Sequence, residues 1–372
     1  MKLYPMALIL LLLAGALFTV SAEAVEHSTS IGAEFAYYFD NNRGWGQDGG
    51  FIAPSYKPIT FDSAPVDFSY VPGDAGETLA SGDKRTLGSG WGSLELQTFL
   101  KHRIKIPFLQ GEGALVADNN ATVNLDLYAA PVALYGRASV TFTPIAFLNF
   151  NIGGLIGSGW NAVIFNGVGD NVNGEIRTTS FPGVVTELFS SATIQFDLAA
   201  LVPGEWNHVV ALLNGKFKYS WFSSDYARDM GNGNPGPWQW LADSGENLNG
   251  LEYEGSYFLG YKMPLVLETV GFLVETSQLL GTNSTLSPMG GADGNVATVD
   301  DNGWGSDFVA VTFGPLMNFA FNEHNSLAVL IQFKTGRDYT DGTIFNEFYQ
   351  NRDYEATYTK FHRIALAYTY KF

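Results

Sequence analysis

The chain has 372 residues, of which 37 are acidic and 20 basic, for a formal net charge of −17, a balance that repels phosphate backbones and sets nucleic-acid binding aside. It contains no Cys, which excludes disulfides, a thiol nucleophile, cysteine-ligated metal and an N-terminal lipid on cysteine. Its 42 Gly, 15% aromatic and 15% charged residues depart from an ordinary soluble domain, in which about 25% of residues are charged.

The chain opens with Lys2, an almost wholly apolar stretch from Met6 to Phe18, and the small-x-small triplet Ala22-Glu23-Ala24. This is the pattern of a cleaved secretory signal. Residues 1–24 are therefore expected to be a signal peptide and 25–372 a single barrel domain. A helix crossing a bilayer takes roughly 20 apolar residues, and no later run is long enough. The mature chain is thus either soluble or crosses a membrane as strands.

From residue 29 onward apolar and polar residues alternate with period two, and no stretch has the periodicity and caps of an amphipathic helix. The spacing predicts an all-β chain of about twelve strands, near 29–39, 92–106, 121–130, 132–143, 147–158, 190–201, 207–222, 250–262, 265–280, 306–318, 326–336 and 355–372. The third and fourth boundaries are the least sharply marked, so that ten or fourteen strands stay open. The second strand sets Leu94, Leu96, Leu100, Ile104 and Ile106 against Glu95, Gln97, Lys101, Arg103 and Lys105. The seventh sets Val209, Leu213, Phe217, Tyr219 and Trp221 against Asn214, Lys216, Lys218 and Ser220. In the last, Ile364, Leu366, Tyr368, Tyr370 and Phe372 oppose Arg363, Ala365, Ala367, Thr369 and Lys371. A soluble antiparallel sheet also alternates, but these apolar faces persist for about ten residues, as a strand tilted across hydrocarbon requires.

The connections alternate too. Short ones at 144–146, 202–206, 262–264 and 322–325 are interleaved with long, polar, Gly-rich ones near 40–90, 159–189, 223–249, 281–305 and 337–354. The long loops hold 21 acidic and 8 basic residues by these bounds. Short turns at one end and long loops at the other describe a single antiparallel transmembrane β-barrel with short periplasmic turns and extracellular loops. Loops of that length are uncommon inside a compact soluble domain.

The segment from His362 to Phe372 ends on an aromatic residue, with Tyr370 and Tyr368 at the alternate positions before it. It resembles the terminal strand of bacterial outer-membrane β-barrel proteins, porins included, in which such an ending is read by the barrel-assembly machinery. The resemblance implies an outer-membrane location, the lipid bilayer and that machinery as partners, and an assembly role for Tyr368, Tyr370 and Phe372. The blocks Pro107-Phe108-Leu109, Asp118-Asn119-Asn120 and Pro144-Ile145-Ala146-Phe147-Leu148 are similar to those of uncharacterised spirochaete-type barrels, a likeness that carries no functional residue across.

Aromatic residues at strand ends, among them Tyr37, Phe39, Trp221, Phe222, Tyr368 and Tyr370, are expected in the interfacial girdles of such a barrel. Gly-Trp-Gly at 44–46, 90–92 and 303–305, with Gly159-Trp160-Asn161, places tryptophan at loop bases. There it anchors at the interface or, less often, stacks on a sugar ring. The loop acids Asp40, Asp48, Asp300 and Asp301 lack the spacing of a calcium loop and read as solvated surface. No metal or cofactor is expected.

Lys101, Arg103, Lys105, Arg137, Lys216, Lys218, Lys334 and Arg363 fall on the polar face of their strands, together with Glu34, Glu95, Asp126, Asp197, Glu252 and Glu254. A Lys or Arg facing hydrocarbon costs roughly 2–4 kcal/mol near the midplane, so these side chains are expected inside. The basic excess among them reads either as a track for small anionic solutes or as part of a salt-bridged plug. An enzyme has the least support. A lipid-directed hydrolase pairs a His with Ser or Asp near the outer rim. His27, His102, His208 and His324 lie toward the turn end, and for His362, whose parity faces lipid and which is the one candidate, the sequence offers no convincingly placed Ser or Asp. The expected function is a narrow channel for small, anionic solutes, against a structural or adhesive barrel with a plugged lumen.

Overall fold

Strands that alternate over their whole length can satisfy their backbone only by pairing, and here the pairing closes on itself. The structure, a computed structural model, describes residues 25–38, 94–162, 165–172, 175–177, 179, 181–229, 236, 238–241, 247–280, 309–339 and 354–372. The signal segment, the three Gly-Trp-Gly motifs, Phe39, Asp40, Asp48, Asp300 and Asp301 lie outside the described residues.

In chain order the strands are β1 (Glu26–Tyr38), β2 (Leu94–Pro107), β3 (Asn120–Ala130), β4 (Ala133–Ile145), β5 (Leu148–Gly159), β6 (Asn161–Ala162), β7 (Phe165–Asn166), β8 (Val168–Val172) and β9 (Glu175–Arg177). They continue as β10 (Val185–Asp197), β11 (His208–Phe222), β12 (Trp238–Trp240), β13 (Gly250–Lys262), β14 (Leu267–Leu280), β15 (Ala310–Ala320), β16 (Asn325–Tyr339) and β17 (Tyr354–Lys371). Twelve of them form one closed antiparallel barrel in the order β1-β2-β3-β4-β5-β10-β11-β13-β14-β15-β16-β17, with β17 returning to β1. Closure leaves no unpaired edge, the condition for crossing hydrocarbon with strands. At the seam Ser30 faces Lys371 and Glu34 faces Ala367, and the Phe372 amide donates to the Thr29 carbonyl at 3.0 Å.

β1 begins and β17 finishes at one end of the barrel, which also carries the short turns 146–147, 263–266 and 321–324. Three connections break the expected alternation of lengths. The turns 108–119 and 198–207 at this end are longer, and at the opposite end β3 and β4 are joined by Pro131-Val132 alone. Outward positions are apolar and open: Ile156 and Leu259 are each 62% exposed, and Leu96, Leu188 and Leu213 about half. An apolar belt of this kind suits lipid and not water.

Inside, aromatic rings lie over glycines of neighbouring strands. A Cβ on Gly32 would stand 2.3 Å from the Phe99 ring, one on Gly153 2.7 Å from Phe189, and one on Gly271 2.4 Å from Phe258. Glycine is normally a weak strand residue, but under a cross-strand ring it lets wall and side chain approach closely.

The sixth predicted strand, 190–201, is displaced: β10 runs from Val185 to Asp197. Its lower end stops because the Asp197 carboxylate accepts from the Ala199 amide at 2.9 Å and caps a 3-10 turn, Leu198–Ala200. The apolar run there resembles a strand in composition, yet Leu201 is 71% exposed in the turn. Its upper end extends because Val185 and Phe189 are packed inward.

Candidate functional site

Pairing register sends alternate side chains into the lumen. Lys101, Arg103, Lys105, Arg137, Lys216, Lys218, Lys334 and Arg363 all take inward positions. So do Glu34, Glu95, Asp126, Asp197, Glu252 and Glu254. Three further acids join them. The upward extension of β10 brings Glu187 into the wall, Glu275 faces Thr312 on β15, and the irregularity at Leu267/Thr269 turns Glu268 to Lys262 at 3.2 Å and Asn318 at 2.8 Å. Acids and bases on the described inward positions are therefore about level, and the basic excess expected from the sequence is not present.

Most of these charges are paired. On β1 to β4, Tyr135 donates to Gln97 at 2.6 Å, Gln97 donates to Glu34 at 2.5 Å, and Lys101 lies 3.7 Å from Glu34. Arg103 pairs with Asp126, and Lys105 with Asp118 at 2.7 Å. On β10 to β13, Lys218 contacts Glu254 at 2.7 Å, Glu252 at 3.0 Å and Glu187 at 4.0 Å, and Lys216 contacts Glu254 at 2.5 Å. Phe189 lies between the two groups: the Arg137 guanidinium is 4.4 Å and the Lys216 ammonium 5.4 Å from its ring centroid. On the far wall Arg363 donates to Gln332 at 2.5 Å, and Gln332 donates to Glu275 at 2.6 Å. Lys334 stands beside Lys360 across the β16–β17 register.

Two of the long loops are folded over part of this lining. β12 pairs with β8, and β8 with β9, forming a small sheet that draws on both the 160–184 and 223–249 segments. Trp238, Val168 and Ala227 pack against Val185 and Phe222, with Leu155 and Trp240 at the margin. Val185, Phe222 and Leu155 have the inward parity of their strands, so the cap sits on the inner wall of the mouth. Asn249 ties it down, accepting from the Phe222 amide at 2.7 Å and donating to the Phe222 and Ala227 carbonyls at 3.0 Å each. Ser224 caps the short helix α1 (Asp225–Arg228), accepting from the Ala227 amide at 2.9 Å. The close approach is made possible by Gly167, where a Cβ would meet the Val132 carbonyl oxygen at 1.8 Å.

The cap corrects two expectations. The loops at 159–189 and 223–249 are not simply polar surface, because Trp238 and Gln239 are almost wholly buried. Phe222 is no girdle residue: it is fully buried in the cap core, while its neighbour Trp221 does face outward. Trp160 donates from its indole to the Pro131 carbonyl at 3.0 Å, anchoring the loop to the β3–β4 turn. His362 occupies the register shift between the Gln332–Arg363 and Phe333–Phe361 pairs, so simple parity does not assign its side.

No family model and no curated protein matches the chain. Among solved structures it is similar to one titled "KdgM porin", with a TM-score of 0.32 and 8% identity over 75% of this chain and 95% of that one. It is similar to an outer membrane channel from Pseudomonas putida F1, with a TM-score of 0.33 and 9% identity over 93% and 96% of the two chains. It is similar to LpxR from Salmonella typhimurium, with a TM-score of 0.33 and 12% identity over 92% and 99%. At such distances no residue role or activity passes from them to this chain.

Proposed function

We propose that the protein is an exported outer-membrane barrel and that its lumen is a narrow channel for small polar solutes. The observation that carries this reading is that several inward charges stay wet although paired: Arg103 and Glu34 each keep 32% of the side chain accessible and Lys105 keeps 30%. Side chains packed into a plug would bury such groups. The eight basic residues named above would line the path, but alternating with acids they leave little net field, so the proposed charge preference is weak. A residual pull on anions would come from Lys334 and Arg137. The barrel-assembly machinery is proposed to read Tyr368, Tyr370 and Phe372.

Liposome swelling tests the reading. Barrels refolded into vesicles should admit small sugars and amino acids, with rates falling steeply as solute size grows. Vesicles that hold folded barrel yet swell no faster than empty ones would favour the plugged, structural alternative.

A further inference from the structure

Three polar side chains interrupt the apolar outer face beside the β1–β17 seam. His27 and Thr29 on β1 and His102 on β2 share the outward parity of Ile31, Leu100 and Ile104. The Thr29 hydroxyl lies 2.9 Å from His102 Nδ1, and His27 Nδ1 lies 3.4 Å from His102 Nε2. If the hydroxyl donates to Nδ1, His102 carries its proton on Nε2 and donates to His27 Nδ1. The Nε2–H of His27 is then left facing the surroundings. Polar groups on a lipid-facing surface cost free energy unless a polar partner meets them.

From His102 a groove of about 580 Å³ climbs obliquely across β3, β4 and β5 to β10. Leu125, Leu127, Ile156 and Leu188 form its sides, and Gly136, Ala138 and Gly154 its floor. Four strand spacings of about 4.8 Å make it roughly 19 Å long, the slanted depth of one leaflet of a hydrocarbon core about 30 Å thick. Packing explains Gly154, where a Cβ would stand 2.9 Å from the Glu187 carbonyl oxygen. It does not explain Gly136, where the nearest atom would be an ordinary 3.7 Å away. Glycine there keeps the groove open without being required by the wall.

We infer that the groove and the imidazole pair bind one glycerophospholipid of the leaflet at the turn end. One acyl chain lies along Gly136 and Ala138, and a phosphate oxygen of the head group accepts from His27 Nε2–H. The inference rests on the membrane placement proposed above and is independent of conductance.

Native mass spectrometry of the refolded barrel, washed in detergent and then given phosphatidylglycerol at a limiting ratio, reads the site. The parent should retain one lipid. Gly136→Leu or Ala138→Leu, which fill the groove, and a His27→Ala/His102→Ala double variant should each retain about tenfold less. Equal retention in parent and both groove variants overturns the site, and equal retention in the imidazole variant overturns the head-group assignment. Each sample is first checked for heat-modifiable migration, so that a barrel that fails to assemble, which would count against the membrane placement itself, is recognised separately.

Discussion

Trp240, carried by an outer loop, stands edge-on to Tyr135 of the barrel wall, with ring centroids 5.6 Å apart. Tyr135 is stacked on Tyr128 at 4.6 Å and bonded through Gln97 to Glu34, so cap and lumen lining meet at one residue. The anchor of the cap is Trp238, 1% exposed. Trp238→Ala should cost the cap about 3–5 kcal/mol and release it. Limited proteolysis of proteoliposomes should then cut within 223–249 far faster than in the parent, with the barrel still heat-modifiable. An unchanged cleavage rate would show that the cap is not held by this core.

Lys218 is closely enclosed, with 12% of its side chain accessible among three glutamates. Lys218→Met leaves Glu187, Glu252 and Glu254 facing one another, and breaking a buried charge cluster in this way costs about 3–5 kcal/mol. Thermal unfolding should begin at a clearly lower temperature, and adding Glu254→Gln should recover part of the loss. A single variant as stable as the parent would mean the cluster is solvated enough to relax.

Two glycines of the barrel wall make a contrasting pair of substitutions. A Cβ at Gly32 would lie 2.1 Å from the Tyr368 carbonyl oxygen, whereas at Gly136 the nearest atom is 3.7 Å away. Gly32→Ala should sharply reduce the folded fraction on unheated gels, and Gly136→Ala should leave it unchanged. Equal yields would remove close packing at the seam as a requirement.

The terminal aromatics finish that same seam, with the Tyr370 and Phe372 rings 5.1 Å apart. Replacing both with Ser should lower outer-membrane insertion and leave unfolded chain in the periplasm. Normal levels of folded barrel would show that the ending is not an assembly signal.

Strand existence and facing were legible because each wall strand carries its own alternation. β2, β11 and β17 show apolar residues on one face and polar ones on the other within a single stretch. The cap was not legible. It depends on pairing between Trp238–Trp240 and Val168–Asp170, segments too short to show a period and far apart in the chain. Glu187 was missed for a related reason. Phe222 at the end of one strand and Val185 at the start of another look like loop margins until the distant Trp238 covers them. Positions of lumen charges could be read from parity, but their pairing could not, because it depends on which strand lies next to which.

Planar-bilayer recording under a salt gradient tests the central claim, an open lumen lined by paired charges. The parent should give stepwise conductance with a reversal potential close to zero. The variant Lys101→Gln/Arg103→Gln/Lys105→Gln should shift that potential toward cations, since it leaves Glu34, Asp126 and Asp118 without these cationic partners. The shift should shrink as salt is raised toward 1 M, where screening falls to about 3 Å. Folded barrels that pass no current, or a variant whose selectivity does not move, would contradict it.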